Sequence, residues 1–236
     1  MDLKGQMFDE VGTNSDFISW TDMEQSIIQR TFLWLGWITA LVFGVGYYVL
    51  GLMQSGAIDM STYMWYYWLS FIGWLWLVVA ISFGARKFNY MTLAIMFILF
   101  WLLEWFGLAG VFAAYNQASI INAFAGASIM FITMALWGYS TKTDLSKLGN
   151  LFLVWLISII VISLLNVFIF KSSWLEMVIS IFWIVLFLWL TAYDLQMLKR
   201  WAASWDRRLE IFFWLWLFLN FINIFLFLLS LFGGRD

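Results

Sequence analysis

Long apolar runs separated by short polar breaks organise this chain. Seven runs of about 20 residues or more stand out, over roughly 31–52, 61–83, 90–113, 118–139, 149–170, 174–198 and 211–232. Each is long enough to cross a bilayer core of ~30 Å as a helix. The breaks are ten residues or fewer, except the last. The pattern predicts an all-α, polytopic membrane protein in two parts: an N-terminal tail over 1–30 and a seven-helix domain over 31–236. The tail is acidic (Asp2, Asp9, Glu10, Asp16, Asp22, Glu24) and lacks the basic-then-apolar order of a cleavable signal. The first span is therefore expected to remain in the mature protein. Residues 1–20 are expected to be mobile, with a short interfacial helix over Asp22–Arg30.

Composition sharpens this picture. The chain is 64% hydrophobic and 11% charged, against about 45–50% and about 25% for soluble domains, so lipid must cover part of its surface. A net charge of −2 gives no reason to expect nucleic acid. Cysteine and histidine are absent, so thiol chemistry and the usual near-neutral switch are missing and any pH response falls to carboxylates. No zinc motif, phosphate-cradling glycine loop or catalytic triad is present, and no cofactor or enzymatic activity is expected. Proline is absent too, and 18 tryptophans are present. That combination leaves a designed sequence as one reading of the composition.

Lysine and arginine set the expected orientation. Ten of the 12 fall on the N-terminal side of the spans: Lys4, Arg30, Arg86, Lys87, Lys142, Lys147, Lys199, Arg200, Arg207 and Arg208. Only Lys171 and Arg235 fall on the other. The N-terminus is expected in the cytoplasm and, after seven crossings, the C-terminus outside. Tyr63, Trp65, Tyr66, Tyr67 and Trp68 read as an interfacial belt. Two small-residue stripes, Gly36–Ala40–Gly44 and Ser119–Ala123–Ala127, read as surfaces for close helix packing.

Ionisable groups inside spans are the candidates for function. Asp194 lies near the end of span 6, about one turn before Lys199. It must be protonated, paired or facing a wet cavity, with Arg86, Lys87 or Lys199 as candidate counter-ions. Burial and a nearby cation act on a carboxyl in opposite senses, which suits a pH-responsive group; the plainer alternative is a structural latch. Asn220 and Asn223 share a face of span 7. Either they glue helices together or Asn220 faces Asp194. Glu104 is deep in span 3, as a pathway-lining acid or a hydrogen-bonded structural one. Asn166 is a further polar group at depth in span 5.

Three stretches in order resemble the Bax inhibitor-1 family of membrane proteins, in its bacterial branch. Gly138-Tyr139-Ser140-Thr141-Lys142-Thr143-Asp144-Leu145 resembles the loop after its fourth helix. Leu190-Thr191-Ala192-Tyr193-Asp194-Leu195-Gln196 resembles its Tyr-Asp-x-Gln segment. Leu219-Asn220-Phe221-Ile222-Asn223-Ile224-Phe225-Leu226 resembles its last-helix Asp-Phe-Ile-Asn-Leu-Phe-Leu. The resemblance covers about residues 118–234. It implies a seven-helix fold with the last helix central and six around it. It also implies a proton-sensitive calcium leak controlled by two aspartates between the last two helices, in a bacterial inner membrane. Asp194 matches the first aspartate; the second position is Asn220, and an Asp–Asn pair cannot share a proton as two carboxyls do. Arg86 resembles a basic latch at the end of helix 2. A family arginine near the C-terminus is Ser230 here, and Trp105 stands near a family glycine. Some bacterial relatives suggest the alternative of a non-conducting regulator bound to another membrane protein, such as a protease. A designed, inactive scaffold is a third reading.

Overall fold

The computed structural model describes residues 20–84, 87–202 and 207–234. Seven long helices run through them: α1 (Trp20–Gln54), α2 (Met60–Gly84), α3 (Tyr90–Ala114), α4 (Gln117–Ser140), α5 (Gly149–Leu165), α6 (Ser173–Ala202) and α7 (Arg207–Phe232). A 3₁₀ turn, Leu145–Leu148, leads into α5, and a π turn, Asn166–Phe170, ends it. No strand occurs among the described residues. All seven helices are long and apolar enough to span a membrane, as the runs predicted. α1 begins at Trp20 and continues unbroken past residue 30. The boundary drawn at 30/31 therefore falls inside one helix, whose apolar span begins at Ile27. Residues 1–19 lie outside the described residues.

A chain without proline must start its helices by other means. Short polar side chains do it here, accepting hydrogen bonds from first-turn amides that have no helical partner. Asp59 takes the Thr62 amide at 2.7 Å, Asn89 the Thr92 amide at 2.8 Å and Asn116 the Ser119 amide at 2.9 Å. The Thr62 hydroxyl and amide hold the Asp59 carboxyl below its ordinary range.

The last helix is the centre. Of its apolar stretch 61% is buried, against 17–35% for the other six. Leu215, Leu217, Phe218, Ile224 and Phe225 are fully buried although they point in different directions, so α7 is enclosed on every side. α6, α4, α1 and α3 pack directly on it; α2 packs chiefly on α3, and α5 chiefly on α6. Six helices thus surround α7 in two shells. Aromatic contacts fill the interior. Phe218 meets Trp101 with ring centroids 4.1 Å apart, and Phe43, Phe124 and Phe225 form a three-helix cluster at 4.8–6.5 Å. In lipid such packing holds helices together, because the surrounding tails are as apolar as the core.

One small-residue stripe behaves as predicted and the other does not. Ala123 and Ala127 are buried, and the line continues through Ala135 to Gly138. A methyl group at Gly138 would collide with the backbone of Ala192, so only glycine permits this crossing of α4 on α6. Gly36, Ala40 and Gly44 instead face outward, and a methyl group at either glycine would meet nothing. α1 turns inward through Thr31, Leu35, Thr39, Val42 and Gly46. Tyr63 is likewise no belt residue. It is 3% exposed, and its hydroxyl donates to the Phe106 carbonyl of α3 at 2.5 Å. Trp65, Tyr66 and Trp68 are exposed, as an interfacial belt requires.

Candidate functional site

Asp194 and Asn220 meet. The Asn220 amide nitrogen donates to Asp194 Oδ2 at 2.7 Å, joining α6 to the central helix. Asn220 is 1% exposed and Asp194 is half-buried. Leu195 and Leu198, one and four positions on, are buried in the core that α7 anchors. A second side-chain bond anchors the same helix nearer its start, from the Trp214 indole to Thr31 Oγ1 at 3.2 Å.

The candidate counter-ions do not join this pair. Arg86 lies outside the described residues. Lys87 is exposed at the α2–α3 connection, and its backbone amide closes that turn on Gly84. Lys199 points elsewhere: its Nζ donates to the Tyr139 carbonyl at 3.5 Å and lies 4.4 Å from the Tyr139 ring centre. Among the described residues, the polar group that contacts Asp194 is the Asn220 amide. Glu104 stands apart at the α2–α3 interface, half-buried, with the Trp74 indole N–H close by but outside hydrogen-bond geometry. Among the described residues no three acidic side chains converge as they would around a resident metal ion.

Asn166 and Asn223 also differ from expectation. Asn166 is buried, yet it works at a turn and not between helices. Its Oδ1 accepts from the Ser172 amide at 3.1 Å, its Nδ2 donates to the Ser172 carbonyl at 3.2 Å, and its own carbonyl takes the Lys171 amide at 2.7 Å. This closes the α5–α6 connection around Lys171, which is left-handed (φ 48°). Asn223 donates to the Leu219 carbonyl of its own helix at 2.6 Å.

The residue missed by the search for buried charge is Gln196. It lies two positions from Asp194, and its amide clamps the connection between α4 and α5. Gln196 Nε2 donates to the Thr143 carbonyl and Oε1 accepts the Leu145 amide, both at 2.8 Å. One turn on, Arg200 pairs with Asp144 at 2.5 Å and also donates to Gln196 Oε1 at 3.2 Å. Ser146 and then Arg200 pull the Asp144 carboxyl down to about 2. A seal of hydrogen bonds therefore closes the basic end of α6 beyond Asp194. The signal was present in the Thr-Asp-Leu and Tyr-Asp-x-Gln stretches; spacing alone could not pair segments 50 residues apart.

Comparison with known proteins decides the family. The family model described as "Inhibitor of apoptosis-promoting Bax1" matches residues 24–236. The chain belongs to the Bax inhibitor-1 family. Inner membrane protein YbhL of Escherichia coli K12 is 37% identical over 171 residues, 70% of this chain and 73% of that protein. An uncharacterized protein of Deinococcus radiodurans is 33% identical over 224 residues, 91% of this chain and 93% of its own length. A protein of Borreliella burgdorferi is 38% identical over 165 residues, 67% of this chain and 71% of that protein. The resemblance read from residues 118–234 thus extends through spans 1 to 3.

Proposed function

We propose that this protein is a cation leak pathway of a bacterial inner membrane, with calcium as the permeant ion and the Asp194–Asn220 contact as its gate. The observation that supports the reading is the 2.7 Å bond between a carboxyl of α6 and an amide of the central helix. A carboxyl at this depth is costly and is generally retained for a task. Calcium prefers oxygen ligands, and Asp194 and Asn220 both offer them. An arriving cation takes the carboxylate away from the amide and loosens α6 on α7. The work is conduction and not catalysis, and it needs no cofactor. Placement in an inner membrane follows the relative YbhL, which bears that description. The Lys/Arg asymmetry supports an N-terminus in the cytoplasm.

The test is calcium flux into vesicles holding the purified full chain. The parent should conduct and Asp194→Asn should fall to the level of empty vesicles. Asn220→Asp sets two carboxyls side by side, which cannot both ionise cheaply, so the pH dependence of its flux should differ from the parent's. Parent flux indistinguishable from empty vesicles refutes the proposal.

A further inference from the structure

α5 is the least embedded helix of the second shell. It packs along α6, and between α5, α6 and α7 a cleft of about 790 Å³ opens toward the face opposite the basic one. Ile160 and Leu164 of α5 with Val167 of the π turn form one wall, Leu226 and Phe227 of α7 the other. Leu164 and Val167 are exposed. A cleft open on the outer, apolar surface of the bundle lies against lipid in a membrane.

The chemistry of the lining says which part of a lipid suits it. Two of the three hydroxyls lining the cleft are turned onto their own helices, Ser163 donating to the Ile159 carbonyl at 2.7 Å and Ser180 to the Glu176 carbonyl at 2.9 Å, while the third, Ser230, is exposed. Asn223 does the same with Leu219. Each group so engaged turns a donor away from the space, and isoleucine, leucine, valine and phenylalanine side chains line its walls. What remains facing the space is mainly hydrocarbon. At the mouth the character changes. Lys171 and Glu176, both exposed, bring one charge of each sign to the rim, and neither side chain has a protein partner among the described residues. Trp174, exposed between them, has the form of a headgroup-level anchor.

We propose that this cleft holds one phosphatidylethanolamine molecule, with an acyl chain between α5 and α7, its phosphate on Lys171 and its ammonium on Glu176. The charge pair selects the headgroup: an anionic phospholipid would satisfy Lys171 and be repelled by Glu176. The bound lipid completes the packing of α5, which the protein alone leaves one-sided.

Lipid retention on the purified full chain, measured by native mass spectrometry in mild detergent, tests this. With phosphatidylethanolamine and phosphatidylglycerol supplied equally, the parent should retain the first several-fold over the second. Lys171→Asn suits the left-handed backbone and Glu176→Gln is isosteric; each should cut ethanolamine-lipid retention about fivefold, as for loss of one exposed charge contact. Leu164→Trp fills the cleft and should abolish retention of both lipids. Lipid-free melting temperatures equal to the parent's show that the variants fold. Equal retention of the two lipids by the parent overturns the proposal, as does parent-like retention in Leu164→Trp. None of these residues belongs to the Asp194–Asn220 contact, so failure here leaves the gate untouched and failure of the gate leaves the lipid site standing.

Discussion

A single missing methyl group decides how α4 meets α6. Gly138 lies against the Ala192 backbone, which cannot yield as a side chain could. Gly138→Ala should therefore destabilise the protein by about 1–3 kcal/mol, the usual range for overpacking, readable as a lower melting temperature in detergent. Gln196 is the other residue on which much rests. Gln196→Leu leaves the amide of the buried Leu145 without an acceptor, which costs about 1–3 kcal/mol. Gln196→Glu keeps the acceptor and loses only the donor to Thr143, so it should recover part of the loss. Neither residue advertised itself. A search for charge at depth finds Asp194 and Glu104, whereas Gly138 and Gln196 matter through backbone atoms of distant segments, and those are invisible to composition.

At the level of elements, the connection between α4 and α5 is a clamp with its own pH range. Asp144 is held at about 2 by Ser146 and Arg200, below its ordinary value of 3.8. A depressed carboxyl contributes stability that is full above the ordinary value and lost as pH falls through the lowered one. Hydrogen-exchange protection of the Leu145 amide should therefore be the same at pH 5 and pH 7 and weaken only below about pH 4. Any pH response of the protein in the physiological range then originates elsewhere than in this ion pair. The helices themselves were plain from the sequence, since runs of apolar residues this long have few other folded forms. Their rotations were not. In lipid both the inner and the outer faces of a helix are apolar, so the period of the pattern does not say which side is in. That is why the stripe Gly36–Ala40–Gly44 reads as a packing surface yet faces outward, while Thr31, Thr39 and Gly46 face the bundle.

At the scale of the whole molecule, the distribution of basic residues makes a prediction about sidedness. Single cysteines placed at Lys142 and Lys171 in this cysteine-free chain should label from opposite sides of intact cells. An impermeant maleimide should reach the second and, only after permeabilisation, the first. The reverse pattern would invert the orientation and leave the fold as it is. The two ends of the bundle are also built differently. The basic end is closed by the Gln196 and Arg200 bonds. At the other end Gly234 donates to Ser119 and accepts from the Asn116 backbone and side-chain amides, tying the segment after α7 to the start of α4.

By itself the sequence determined that the chain crosses a membrane seven times, which face is rich in positive charge, and that Asp194 is the acid to watch. These follow from local quantities: the length of apolar runs, the placement of lysine and arginine, and the expense of a carboxyl at depth. The family motifs added that α7 lies at the centre and that Asn220 stands at the position of the second family aspartate. Only the tertiary structure decided that Asn220 reaches Asp194 while Lys87 and Lys199 do not, that Asn166 closes a turn, that Gln196 seals the basic end, and that α5 and α7 part to leave a cleft. Each of these depends on the rotation of one helix against another. In a bilayer that rotation is set by packing between helices, because lipid rewards every apolar face alike.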